Sequence, residues 1–173
     1  MKTLCTLYGR LIKLSNVTLS PLLDVAIRLY MANIFFKSGM LKYDNYTTGN
    51  WDETVLLFEE IHPIPGIDPH FAAVTGTAAE LILPVLLAIG LFTRFGAAGL
   101  LVMTLVIQFV VPESYEISNP EHYYWMLLLA VPMLKGGGLF SLDFLAQKFW
   151  CGKKTTKTND ISHNSASQAE KEA

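Results

Sequence analysis

The chain has 173 residues, of which 51% are hydrophobic and only 16% are charged. Soluble domains usually carry about 25% charged residues, so this composition excludes an ordinary water-soluble domain and indicates a membrane protein. The net charge of −2 implies nothing about partners, and no nucleic acid is expected among them.

The segment 1–19 places its apolar side chains at helical spacing instead of in an unbroken run. This pattern predicts a cytoplasmic amphipathic segment on the inner membrane surface and no cleavable signal peptide. Its apolar positions include Leu4, Leu7, Tyr8, Leu11 and Leu14.

Four apolar segments follow, and a bilayer crossing needs about 20 residues, so the third and fourth are short. They predict an all-α fold: a polytopic membrane protein with a four-transmembrane-helix bundle over residues 20–150 and flanking amphipathic surface helices. The segments are 21–41, 71–92, 95–111 and 120–134.

The connections between these segments differ in charge. Those at 43–70 and 112–121 contain acidic residues but no Lys or Arg, whereas bases concentrate near both ends of the chain and at Arg94. Because Lys and Arg accumulate on the cytoplasmic side, we place both termini inside and both acidic connections outside. The expected location is the inner cell membrane, with the lipid bilayer as a partner.

The outer connection 43–70 is too long for a passive turn. Asn50 followed by Glu53 is typical of a capped helix start, and the next residues put apolar side chains on one face and acids on the other. This predicts a helix that lies over the outer mouth of the bundle as a lid.

Near the end of the chain, Ser141 is expected to cap a final amphipathic helix. The segment 151–173 is expected to be a disordered cytoplasmic tail.

Glu80 lies near the centre of an otherwise apolar segment. A carboxylate there costs roughly 2.5 to 3.5 kcal/mol unless it is paired, protonated or hydrated. In the first span, Asp24 and Arg28 are four residues apart and share a face, to which Lys42 also returns. From the depths of these residues we predict an Arg28–Glu80 ion pair, with Asp24 orienting the arginine.

Two interpretations of this cluster stay open. As a structural pair it specifies helix packing, and as a functional pair it lines a cavity for the polar head of a small ligand, such as a quinone carbonyl. Gln108 either joins that ligand cavity or hydrogen-bonds a neighbouring helix. Lys37 and Lys42 are interpreted as snorkelling anchors near the outer end of the first span.

His62, His70 and His122 map to the outer face among carboxylates, but their spacing matches no tight metal motif. They are minor metal candidates, and no metal site is predicted. No haem is expected, because no span contains two histidines. Cys5 and Cys151 both map to the cytoplasmic side, which excludes thiol oxidation at the outer face.

Three blocks of sequence are distinctive together. The first is Arg28 with 36–42, F-K-S-G-M-L-K; the second is Glu80 with 90–94, G-L-F-T-R; the third is 136–143, G-G-G-L-F-S-L-D. In order and spacing they resemble the DoxX family of small four-helix bacterial inner-membrane proteins, over roughly residues 20 to 146.

The resemblance implies a membrane protein of a family in which many members have no established biochemical role. Some members are linked to sulfur-compound oxidation that passes electrons to quinone, or to membrane complexes that handle oxidative stress. We therefore expect a quinone-linked or redox-accessory subunit, with quinone as the candidate cofactor, working with a protein partner or as a homo-oligomer. The alternative is a non-catalytic binding, transport or scaffold module for a small lipid, a metal ion or a partner protein.

Overall fold

The structure is a computed structural model that describes residues 14–109 and 120–149, together with Tyr8 and Ile12. Every regular element in these described ranges is helical. Most of the predicted surface segment 1–19 and all of the predicted disordered tail 151–173 lie outside the described residues.

Six α-helices follow one another along the described chain, and two of them continue from or into a π-helical turn. The turn Ser15–Leu19 leads into α1, and the turn Leu57–Ile61 extends α2. The helices are α1 (Ser20–Thr48), α2 (Trp51–Leu56), α3 (Pro69–Ile89), α4 (Thr93–Phe109), α5 (Pro120–Lys135) and α6 (142–149).

The ends of α3 follow directly from local sequence. Asp68 caps the first turn by accepting a hydrogen bond from the backbone N–H of Phe71, and Pro69 stands where a helix tolerates proline best. At the other end Gly90 has a φ of 73°, a left-handed conformation that glycine adopts without steric cost. The chain therefore reverses at once, and α4 begins at Thr93.

The longer helices contact one another in a ring, with α1 on α3, α3 on α4, α4 on α5, and α5 back on α1. An apolar core fills the centre of this ring. Its buried members are Met31, Phe35, Leu87, Ala97, Leu100 and Leu129.

Helices α1 and α3 are antiparallel, with a register set by two close approaches. A Cβ added to Gly39 would stand 3.0 Å from backbone atoms of Glu80, so the two helix backbones nearly touch there. Arg28, earlier in α1, lies against Gly90, the residue that follows α3. This register decides which polar side chains of α1 can reach Glu80.

Two described helices are long and apolar enough to cross a membrane: Ser15–Thr48, which includes α1, and Pro69–Ile89. Thr93–Phe109 is apolar but shorter. The prediction of an all-α fold is confirmed for the described residues, with two candidate membrane-spanning helices; the four-span bundle stays a prediction. The predicted first span, 21–41, is a segment of a much longer helix that continues to Thr48.

Helix α2 packs against α1 and α3; its role as a lid over the outer mouth of a bundle stays a prediction. Phe58, in the turn that extends α2, lies against Gly76 of α3, where a Cβ would meet the ring at 2.8 Å. Thr54 is buried and accepts a hydrogen bond from Asn45 of α1. The predicted side-chain cap at Asn50 is wrong. Its side chain makes no capping hydrogen bond, and only its backbone carbonyl accepts one, from the N–H of Glu53.

Candidate functional site

Glu80 is paired with Lys42. The Lys42 ammonium donates a hydrogen bond of 2.5 Å to Glu80 Oε2 and a second, of 2.9 Å, to Ser38 Oγ, one helical turn earlier. The two side chains are only 10% and 7% exposed, so solvent screens the pair little. Each charge therefore depends on the other for compensation.

The pair lies beside a cavity of about 340 Å³ bounded by α3, α4 and the segment that covers them from α2. Pockets of about 300–1,000 Å³ lined mainly by apolar groups, with a few polar ones, are typical of small-molecule sites. Apart from the pair, Thr75 and His62, the walls are apolar or small. They include Leu57, Phe58, Ile64, Ile67, Phe71, Ala79, Val102, Met103, Val106 and Ile107.

One side of the cavity reaches the lateral surface of the protein. Phe71 on α3 and Val102 on α4 belong to its lining, yet they are 61% and 57% exposed. Helix α4 also carries Gly99 at this wall, where a Cβ would meet Leu83. The arrangement suits a molecule with an apolar body and one polar end, which the ion pair would contact.

The predicted Arg28–Glu80 ion pair is wrong. Helix α1 extends seven residues beyond the predicted end of the first span, from Leu41 to Thr48. This shifts the register against α3, so Glu80 lies across from Gly39 and Lys42. Arg28 is 14 residues before Lys42, which corresponds to roughly 21 Å along a helix.

Arg28 lies instead at the opposite end of the α1–α3 contact, where it is 1% exposed. Its Nη2 donates a hydrogen bond of 2.7 Å to the carbonyl oxygen of Phe140, while Nε and Nη1 have no partner in the described structure. The residue belongs to the far end of the helices and not to the cavity beside Glu80.

The expectation that Asp24 orients the guanidinium of Arg28 is wrong, because Asp24 pairs with another residue. It accepts hydrogen bonds of 2.7 and 2.9 Å from the ammonium of Lys135, at the end of α5. The shared face of Asp24, Arg28 and Lys42 on α1 is confirmed, because all three are buried while Lys37 is exposed.

Gln108 contacts the neighbouring helix α5. Its Oε1 lies 2.9 Å from His122 Nδ1, and its Nε2 donates to the hydroxyl of Tyr123 at 3.4 Å. Of the two readings left open for this residue, the helix–helix contact is the one observed. It does not line the cavity next to Glu80.

The outer histidines occupy three different settings. His62 lines the cavity, His70 packs edge-on against Trp51, and His122 lies against Trp125 and Gln108. Burial lowers the pKa of His62, a hydrogen bond with the Leu57 backbone opposes that effect, and the Lys42 ammonium lowers it further. No group of three or more His, Cys, Asp or Glu side chains suited to a metal occurs among the described residues.

Lys42, the ion-pair partner of Glu80, is the residue to which the sequence analysis assigned another role. Its position near the end of an apolar segment is typical of a snorkelling anchor, and only the length of α1 places it inside. A signal was present, because Lys42 and Ser38 fall on the same helical stripe as Arg28.

Fold and site together define a small, all-helical membrane protein with a buried ion pair beside an apolar cavity. The chain belongs to the DoxX family, whose model matches residues 23–113. It is also similar to a protein of Haemophilus influenzae named "Uncharacterized protein", with 27% identity over 142 residues, covering 76% of this chain and 87% of that protein. No solved structure matches the chain.

Proposed function

We propose that the chain crosses the inner membrane four times as a transmembrane bundle, with both termini in the cytoplasm. Support comes from the ring of contacts between α1, α3, α4 and α5 and from the two helices of sufficient length. The acidic connections without Lys or Arg support the orientation.

Orientation is tested by single-cysteine labelling in intact cells, after Cys5 and Cys151 are replaced by serine. Glu59→Cys, beside α2, is expected to react with a membrane-impermeant maleimide from outside. Lys148→Cys, on α6, is expected to react only after the membrane is opened. The reverse pattern would invert the topology.

Within this bundle the cavity beside Lys42 and Glu80 binds a small lipophilic molecule with a polar head, and a quinone is the ligand that fits best. The observation that carries this proposal is the buried ion pair at the wall of an otherwise apolar cavity. A quinone ring offers carbonyl oxygens to the Lys42 ammonium, and its apolar tail would lie between α3 and α4 toward lipid. The chain would then act as an accessory subunit, with a partner protein supplying the redox chemistry.

The test is equilibrium binding of a radiolabelled short-chain ubiquinone to purified protein in detergent. Ala79→Phe fills the cavity and leaves both charges in place, whereas Ala78→Phe puts the same ring at the preceding, exposed position of α3. We expect Ala79→Phe to weaken binding at least tenfold and Ala78→Phe to leave it unchanged. Glu80→Gln with full binding would remove the carboxylate from the site.

The second candidate function is a non-catalytic binding or scaffold role, and one observation favours a contact with a second copy. Asn33 of α1 is exposed on a membrane-crossing helix, and it has no hydrogen-bond partner among the described residues. It borders a groove of about 270 Å³ between α1 and α3. A carboxamide both donates and accepts, so Asn33 of two copies can pair at equal depth across a two-fold axis.

Crosslinking decides this second candidate. Asn33→Cys in a chain without Cys5 and Cys151 is expected to form disulfide dimers in oxidised membranes, and Ile82→Cys, exposed on α3, serves as the control. Dimers that form equally from both positions would reflect random collision.

A further inference from the structure

The cavity beside Lys42 and Glu80 carries a balanced charge. Among the described residues of its lining, these two are the ones with full charges, and a hydrogen bond of 2.5 Å joins them. The remaining titratable group of the lining is the imidazole of His62. Burial is the main cause that lowers its pKa below 6.5, so the ring is uncharged at neutral pH. The wall therefore offers polar atoms to a ligand but no net charge.

The ammonium of Lys42 has a hydrogen-bond donor to spare. An ammonium carries three N–H donors. Within the described part of the chain, Lys42 uses two of them, one to Glu80 Oε2 and one to Ser38 Oγ. The third is left for a carbonyl or hydroxyl oxygen in the cavity that Lys42 lines. Such an oxygen can bind without separating Lys42 from Glu80.

A ligand with a carboxylate head would meet a different environment. It would bring a third charge to a place where the side chains of the pair are only 10% and 7% exposed, so solvent screens its repulsion from Glu80 little. To pair with Lys42 it would have to displace Glu80, which would leave that carboxylate buried without its partner. Both effects cost free energy, and neither arises with an uncharged head.

We infer that Glu80 makes this cavity select lipophilic molecules with an uncharged polar head and exclude those with a carboxylate, such as fatty acids. The inference rests on the proposed function for the presence of a lipophilic ligand and adds which head group is admitted. Both kinds of molecule can reach the cavity where its lining meets the lateral surface, at Phe71 and Val102, so the selection is made at the ion pair. Loss of the charge of Glu80 leaves Lys42 ready to pair with a ligand carboxylate.

The experiment is equilibrium binding of radiolabelled decanol and decanoate to the purified full chain in detergent at neutral pH, corrected for uptake by protein-free micelles. The two probes share a chain length and differ in the charge of the head. The parent chain should bind decanol roughly tenfold more tightly than decanoate, and Glu80→Gln should bind decanoate roughly tenfold more tightly than the parent does, which is the worth of a charge-assisted hydrogen bond. Decanoate should also raise the unfolding midpoint of Glu80→Gln, because it replaces the lost partner of Lys42.

Asp24→Asn is the matched control, because it removes the carboxylate of the ion pair with Lys135, which lies outside this cavity. It should leave decanoate binding unchanged, and Ala79→Phe added to Glu80→Gln should abolish the gain. Equal binding of both probes by the parent chain would overturn the inference, and this arm decides even where Glu80→Gln fails to fold. A folded Glu80→Gln chain without a gain, or an equal gain in Asp24→Asn, would overturn it too. A parent chain that prefers decanol but binds no quinone would reject the proposed ligand alone and support the charge selection.

Discussion

Lys42 of α1 and Glu80 of α3 form a buried ion pair across a close contact between these helices, next to Gly39. The pair compensates two charges that the membrane would otherwise disfavour, and it does so beside an apolar cavity. Under the proposed function, stability and ligand binding depend on the same two side chains.

Removal of one partner should destabilise the protein more than removal of both. Glu80→Gln or Lys42→Met alone leaves the other charge buried without its partner. Loss of one partner of a buried pair typically costs about 3–5 kcal/mol. The double variant Lys42→Met with Glu80→Leu should recover most of this loss. Denaturant unfolding in detergent measures all three, and additive losses would argue against a coupled pair.

Gly39→Ala should loosen the contact between α1 and α3. The new Cβ would stand 3.0 Å from backbone atoms of Glu80, which cannot rotate away, so we expect a loss of about 1–3 kcal/mol. Gly99→Ala is the matched control, because its Cβ would meet the flexible Leu83 side chain instead. Thermal unfolding compares the two, and equal losses would contradict the register described above.

Asp143 should stabilise the turn before α4 in a pH-dependent manner. Burial alone would raise the pKa of Asp143, but hydrogen bonds from the backbone and side chain of Thr93 and from the Phe92 backbone, together with the charge of Arg28, bring it below 3.8. Its contribution is therefore present above pH 3.8 and is lost as the pH falls through the lower folded-state pKa.

Asp143→Asn tests this directly. At neutral pH the variant should unfold more easily than the parent chain by about 1–3 kcal/mol, because a charged acceptor for two N–H groups is lost. That difference should shrink in strong acid, as followed by unfolding midpoints across pH. A difference that is constant across pH would exclude the carboxylate as its source.

His62 should make the cavity region sensitive to mild acid. Burial is the main cause that lowers its pKa below 6.5, so the unfolded chain takes up a proton first as the pH falls. Stability should then decline below pH 6.5, down to the folded-state pKa. His62→Gln should unfold with a flatter pH profile over this window, and an unchanged profile would exclude this histidine.

The helical class, the apolar helices and the buried face of α1 could be predicted from the sequence, because hydropathy and its periodicity are local properties. The pairing of Glu80 with Lys42 could not be predicted in this way, because it depends on where α1 ends. That end lies at Gly49, where φ is 81°, several polar residues beyond the apolar segment. Contact with α2 stabilises the helical conformation of those polar residues. A local stretch of sequence does not reveal such a tertiary contact.

Photolabelling locates the ligand proposed for the cavity beside Lys42 and Glu80. Protein irradiated with an azido-quinone and digested for mass spectrometry should carry the label within 57–80 or 99–107, the stretches that line the cavity with Lys42. Excess unlabelled quinone should remove that label. Label that resists competition, or that is confined to α5 and α6, would show that the quinone does not bind in this cavity.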